Sequence, residues 1–362
     1  MASMSLRGIG FTLRDAVALA EARGPGTRIA LGPGEAADII APAGLILTPT
    51  EARAALAPAG RVFFSFGNQA AFPEAEPLAQ TLDEVAAGAG TGFMLACAAE
   101  PGFRRFAYQG HVFQDGLLLA DLRRALAPHL SGRAVVVTYE TVAKGGPDLL
   151  RRISAAREHG AVMALLDAVD EAQCAALAPV MAGQLCAGGP AWAAGLPAPS
   201  YAAEPPDGHT AILSGALDRQ TLFQLGAARG EMPLRQIDPT APAIEAALDW
   251  AAAQPQHFIL STSAAPGQRG TPGPLAAEAL GEIAAGLAAQ GLRRFVLAGN
   301  DTAALILRRL GIGALTACGV WQGLCWLAAG DYKFLLKPGG FGGQHLFPDG
   351  FGPQIRLNEA AK

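Results

Sequence analysis

The chain of 362 residues is long enough for two domains, and 51% hydrophobic residues against 16% charged provide for a large core. A net charge of −4 without a basic face argues against nucleic acid as a partner. The five cysteines (Cys97, Cys174, Cys186, Cys318, Cys325) form no CxxC pair and are odd in number, which argues against a zinc site or disulfide framework and suits a reducing cytoplasm.

The start, MASMSLRGIGF, has no long apolar core, so no secretion signal is expected. Apolar spacing predicts a helix over 11–22, ended by Gly24 and Pro25. Short apolar runs at 28–31, 43–47 and 61–65 read as strands. A helix follows over 77–87 and a strand over 92–97. Residues 103–116, with two arginines, read as irregular. A helix over 118–127 precedes Pro128, then come a strand at 134–138, a helix over 147–158 and a strand at 161–166. Alternating strands and helices predict an α/β fold: two α/β domains with mostly parallel sheets and a cleft between them. Four prolines in LPAPSYAAEPPDG, 196–208, mark the linker between a domain over 1–195 and another over 209–362.

Two glycine-bearing turns in the second half point to chemistry. In RRFVLAGNDTAALILRRLG, 293–311, an apolar strand meets a turn at Gly299 and Asn300. Asp301 or Thr302 then caps a helix that runs to Leu310. Such a turn aims free N–H groups at one point and suits an anion such as phosphate. In YKFLLKPGGFGGQHLF, 332–347, another strand enters a loop with Gly339, Gly340, Gly342 and Gly343 around Phe341. So many glycines cost chain entropy, and positive φ or close approach of a ligand accounts for them. Residues 310–330 carry no charge, but five glycines and Gln322 interrupt them, so a buried strand and glycine turn explain them better than a membrane span.

GNDTA, the Gly-Leu-Cys-Trp turn and KPGGFG resemble the C-terminal half of the four-carbon acid sugar kinases, ATP-dependent kinases of threonate, erythronate and 3-oxo-tetronate. HTAILSGALDRQTLFQL, 209–225, is similar to a third motif of that family: Ser214, Gly215, Thr221 and Gln224 match, whereas Ala216, Leu217 and Asp218 do not. The resemblance implies a nucleotide-binding C-terminal domain with ATP and Mg2+ on Ser214, Gly299, Asn300, Asp301, Thr302, Gly339, Gly340 and Gly342. It also implies a small sugar acid as partner and allows a homodimer; composition and charge point to a cytoplasmic protein with neither nucleic acid nor membrane as partner, and no metal ligand is assigned.

The N-terminal half departs from the same pattern. The family's first strand ends in a motif with two aspartates, the expected substrate ligand and proton acceptor. The matching stretch, GIGFTLRDA over 8–16, keeps Phe11 and Thr12 but places Ile9 and Gly10 at the aspartates and Leu13 and Arg14 at the following Gly-Ala. The family's Lys and Ser-Thr are absent from 61–78, although Pro73-Glu74 is similar to one branch, and TPTEA, 48–52, stands where an arginine is expected. PGFRRFAYQGHVF, 101–113, places Arg105 on the family's substrate arginine and Gly110-His111 on a later pair. LCAGGPAWAAGL, 185–196, resembles a glycine turn with Pro190 at its serine. The ATP side matches and the acceptor side is rebuilt, so the catalytic group is not identified. The alternatives are a working sugar acid kinase and an inactive homologue that binds nucleotide or metabolite; another carboxylate, Asp15 or Asp115, is a candidate replacement base.

Several residues read two ways. Asp301 is a Mg2+-side ligand or an N-cap, and Ser214 a nucleotide contact or a strand-end cap. Arg105 is an anion fork or a solvated neighbour of Arg104. Lys337 neutralises phosphate or ends an edge strand. His345 lies near nucleotide or on the surface. His111 reads as structural, and Trp321 and Trp326 as packing.

Overall fold

The computed structural model describes residues 6–33, 37–56, 61–67, 75–101, 104–181, 184–189, 204, 207–264 and 273–352. The chain divides into two compact α/β units, Met1–Ser200 and Tyr201–Lys362. The proposed linker falls outside the described residues except for Glu204, Asp207 and Gly208, and so do Pro73, Glu74 and Pro190.

The first unit runs β1 (Leu6–Gly10), α1 (Leu13–Arg23), β2 (Arg28–Leu31), β3 (Ile39–Ala41), α2 (Pro49–Leu56), β4 (Arg61–Ser65), α3 (Ala75–Gly88) and β5 (Met94–Cys97). It continues through β6 (Arg105–Tyr108), β7 (His111–Gln114), β8 (Leu117–Asp121), α4 (Leu122–Leu126), β9 (Arg133–Val137), α5 (Tyr139–Lys144), α6 (Gly146–Glu158), β10 (Ala161–Leu166), α7 (Glu171–Met181) and β11 (Cys186–Gly188). The sheet order is β2-β3-β1-β4-β11-β5-β10-β9, with every pairing parallel. Gly10, Ser65, Gly188 and Cys97 lie in register across four strands, so these strands end along one carboxyl edge. Phe11, Phe64 and Phe66 pack beside that edge with ring centroids 6.2 and 6.5 Å apart.

Four expectations are corrected here. The helix predicted from Phe11 begins at Leu13, because Thr12 is its extended N-cap: Thr12 and Asp15 form a capping box, and β1 ends just before. Residues 43–47 are not a strand; β3 ends at Ala41, ahead of Pro42 and Gly44, and Ile46 makes only an isolated bridge to Thr12. Residues 118–127 are not one helix: Leu117–Asp121 is a strand, and Asp121 caps Leu122–Leu126 by accepting from Arg124 N. The segment read as irregular, 103–116, supplies two strands of the antiparallel sheet β6-β7-β8. Its turns place Gln109, Gly110, Asp115 and Gly116 at positive φ, and Asp115-Gly116 is the Asp-Gly hairpin signal. Asp167, just past β10, pins that hairpin by accepting from the N–H groups of Gln109, Gly110 and Tyr139.

The second unit runs β12 (Thr210–Ser214), α8 (Arg219–Ala228), β13 (Leu234–Gln236), α9 (Ala241–Ala252), β14 (Phe258–Ser261), α10 (Gly273–Ala289), β15 (Arg294–Ala298), α11 (Asn300–Arg309), β16 (Ala314–Trp321), β17 (Leu324–Ala329), β18 (Tyr332–Lys337) and α12 (Leu346–Phe351). Strands β13-β14-β12-β15-β18 are parallel, and β18, β17 and β16 form an antiparallel meander. The uncharged stretch 310–330 is largely its β16–β17 hairpin, and among the described residues no helix is long and apolar enough to cross a membrane. Trp326 is fully buried, and Trp321 packs edge-on against Phe351, so both tryptophans serve packing.

Candidate functional site

The three glycine-bearing segments meet at the carboxyl edge of the second unit's sheet. Ser214, Ala298 and Lys337 end the adjacent strands β12, β15 and β18 in direct register. Gly215 N and Ala216 N both donate to Ala298 O at 3.1 Å, so the first two turns lie against each other. Gly299 takes φ 114°, and a Cβ there would sit 3.1 Å from Ala216 N. That close approach, together with the backbone angle, requires glycine.

Gly299 is the N-cap of α11 and makes no side-chain cap, so the expectation that Asp301 or Thr302 caps this helix is corrected. Asp301 is exposed in the first turn, whereas Thr302 is buried against Gly215. The N–H groups of Asn300, Asp301 and Thr302 have no intrahelical acceptor, and the positive end of the helix dipole lies with them. Ser214 is fully buried, its hydroxyl 2.9 Å from that of Ser263.

The glycine loop is tied to α8. Gln224 Nε2 is shared among the carbonyls of Phe341, Gly342 and Gly343 at 2.8, 3.3 and 3.0 Å, and Gln220 Nε2 donates to Gly342 O at 2.8 Å. Gly342 has φ 85°, while Gly339 packs on the Asp218 carboxylate, where a Cβ would fall 3.2 Å from Oδ2. At Gly340 and Gly343 a Cβ would meet nothing within 4 Å, so bare backbone faces open space there.

Lys337, which opens the KPGGFG motif, completes the site. It lies on β18 between β15 and β17 with 1% exposure, so the edge-strand reading is corrected. Its Nζ donates to Thr221 Oγ1 at 2.5 Å and to Gly339 O at 2.7 Å. Burial pulls its ammonium down to about 8, and Asp218 partly offsets this. Asp218, a mismatch to the motif, caps α8 and accepts from Thr221 Oγ1 at 2.6 Å. His345 is exposed at the start of α12. Among the described residues no three His, Cys, Asp or Glu side chains group as a metal cage, and Mg2+ ordinarily takes one or two carboxylates with substrate phosphates.

The first unit's carboxyl edge holds a separate charged cluster. Arg105 is 4% exposed, so the solvated reading fails; that description fits Arg104, which has φ 54° and pairs with exposed Asp115 at 3.1 Å. Arg105 donates to Glu100 Oε2 and to Gln114 Oε1, both at 2.9 Å. Glu100 is 2% exposed. Burial pushes its carboxyl up to about 7; Arg105 pulls it back, Asp15 raises it and Arg14 lowers it. Arg14, also buried, forms a two-pronged pair with Glu21 at 2.8 and 2.9 Å. Asp15, a candidate base, is fully buried and accepts from Thr12 N and Thr12 Oγ1. His111 contacts Gln109 O through Nδ1 at 3.0 Å and stands 3.8 Å from Asp121. Sequence reasoning missed Glu100, which lies one residue before the quoted motif; an acid five residues ahead of a motif arginine was the available signal.

A family described as the nucleotide-binding C-terminal domain matches residues 211–347. A 3-oxo-tetronate kinase of Burkholderia multivorans is 30% identical over 332 residues, covering 79% of this chain and 78% of that protein. Another from Cupriavidus necator is 31% identical over 326 residues, covering 76% and 73%. The crystal structure of a Salmonella typhimurium LT2 protein shares the fold with a TM-score of 0.78 at 22% identity, covering 95% of this chain and 98% of that one.

Proposed function

The chain belongs to the four-carbon acid sugar kinase family, and from that premise we propose that it transfers the γ-phosphoryl group of ATP to a hydroxyl of a small, four-carbon-type sugar acid. The observation that carries this reading is the register of Ser214, Ala298 and Lys337, which sets three glycine-bearing turns side by side.

Phosphoryl transfer needs positioning and charge neutralisation more than covalent help from the protein. The first-turn N–H groups of α11 donate to phosphate oxygens, as helix N-termini do. The bare backbone at Gly340 and Gly343 fits a ligand that approaches closely. Lys337 adds a cation and anchors the loop through Gly339. Asp301, exposed in the same turn, would hold Mg2+, which when bound neutralises charge on the transferring group. In the first unit, Arg105 is the residue that would meet the sugar acid.

A second reading, a homologue that binds nucleotide or metabolite without turnover, is favoured by one observation. Gly10, at an aspartate position of the family motif, packs so closely that a Cβ would fall under 3.0 Å from Ala16 N, Cα and Cβ. Calorimetry with Mg-ATP tests the nucleotide site that both readings share, and absence of binding counts against both. An ADP-release assay across threonate, erythronate and 3-oxo-tetronate separates them, because turnover of any acceptor removes the second.

A further inference from the structure

Glu100 stands three residues beyond β5, on the same carboxyl edge as Gly10, which the resemblance sets at an aspartate of the family motif. Its two oxygens are treated differently: Oε2 is held by Arg105, while Oε1 has no hydrogen-bond partner among the described residues. A buried carboxylate oxygen without a donor is costly, and a ligand O–H would relieve that cost. Two glycines pack closely on the rest of the Glu100 side chain. A Cβ at Gly67 would lie 3.3 Å from Oε2, and one at Gly189 would fall under 3.0 Å from Cγ. Three more buried atoms of the same unit lack hydrogen-bond partners among the described residues: Arg14 Nε, Arg105 Nε and Ser65 Oγ. Together they offer donors to the oxygens of a hydroxy acid and, at Glu100, an acceptor for its hydroxyl proton.

We propose that Glu100 is the proton acceptor for the phosphorylated hydroxyl, replacing the aspartates lost at positions 9 and 10, with Arg105 orienting it; the inference rests on the kinase reading above. As the hydroxyl oxygen bonds to the γ-phosphorus of ATP, its proton passes to Glu100 Oε1, the bond from γ-phosphorus to the bridging oxygen breaks, and ADP leaves with that electron pair.

The surroundings suit the role. Burial raises the carboxyl to about 7, where ionised and protonated forms are both populated and a general base works well. The charged groups acting on it are Arg105, Asp15 and Arg14, and burial keeps the Cys97 thiol well above its ordinary value and neutral.

The test is steady-state ADP release against pH for the full chain and for Glu100→Gln, which keeps the shape and the Arg105 contact. The expected result is a kcat lower by about 10²–10⁴-fold, the range for loss of a general base, with the acceptor KM changed far less. The wild-type rate should rise with pH through about 7, and the variant should lose that limb. Mg-ATP affinity by calorimetry should be unchanged. Glu100→Asp, which keeps a carboxylate, should retain part of the rate and the limb, and it carries the test if Glu100→Gln fails to melt cooperatively. Either variant lacking these signatures, or Glu100→Gln turning over at the wild-type rate, overturns the role of Glu100 alone. A wild-type chain that binds Mg-ATP but phosphorylates no acceptor overturns the kinase reading and this role with it.

Discussion

Gly215 and Thr302 touch across the joint between β12 and β15, so that a Cβ at position 215 would fall under 3.0 Å from Thr302 Oγ1. The obstacle is a short, buried side chain in the first turn of α11, which cannot swing away as a long flexible one would. Gly215→Ala should therefore displace that turn. Overpacking of this kind costs about 1–3 kcal/mol, and its effect should appear as a lower Tm together with weaker Mg-ATP binding by calorimetry. Unchanged affinity would mean that the first turn of α11 does not hold phosphate.

Gln224 is buried and spends its amide donors on three carbonyls of the glycine loop. Gln224→Leu removes them and leaves the loop tied by Gln220 and Lys337. Each such hydrogen bond contributes about 0.5–1.5 kcal/mol net, so Mg-ATP affinity should weaken by roughly tenfold or more. Acceptor KM should change little. Calorimetry and the ADP-release assay read the two effects separately.

These loop contacts show what the sequence could and could not reveal. The second half was legible because its glycines, Thr221 and Gln224 fall in ordered motifs, each beside a strand end, and parallel pairing brings strand ends together. Asp218 looked like a mismatch because its role, capping α8 while holding Thr221, lies in three dimensions. Lys337 was readable as an edge residue only because the meander that buries β18 comes from strands whose order no local pattern gives. In the first half, the alternating residues of β6, β7 and β8 were hidden by short length, although Asp115-Gly116 marked one turn. Glu100 escaped notice because a lone acid beside a proline is usually solvated, and only the fold encloses it with Arg105.

Lys337 gives a pH signature. Its folded value of about 8 lies below its ordinary 10.5 because burial disfavours the charged form. The folded chain therefore binds fewer protons than the unfolded chain between about 8 and 10.5, and this group's contribution to stability rises with pH across that window. Mg-ATP affinity should move the other way, falling above pH 8 as the cation discharges. Lys337→Met should abolish the fall and weaken binding near neutrality by about 10–100-fold, the range for a charged hydrogen bond of about 1.5–3 kcal/mol. Calorimetric titrations on both sides of pH 8 check it.

An aspartate placed at position 10, where the resemblance to the family motif would set one, should not create a working base there. Gly10 lies against the backbone of Ala16 at the start of α1, where a Cβ has no room. Gly10→Asp should lower stability by at least the ~1–3 kcal/mol of overpacking and should not raise kcat. A variant that melts like wild type and turns over faster would show that the acceptor wall is damaged and not rebuilt.

The Glu100–Arg105 pair predicts how stability follows pH. Glu100 titrates near 7 when folded against an ordinary 4.5, because burial outweighs the attraction of Arg105. A raised carboxyl favours the protonated folded state, so its contribution is fully present below about 4.5 and is lost as pH rises through 7. The difference amounts to about 3 kcal/mol at 1.36 kcal/mol per unit. Glu100→Gln should remove this downward slope and be the more stable protein at pH 8. Arg105→Met should steepen the loss, because it strands a buried carboxylate, at a cost of about 3–5 kcal/mol above neutrality. Urea denaturation of the three proteins at pH 5 and pH 8 measures the slopes, and parallel wild-type and Glu100→Gln curves would place the ionisation elsewhere.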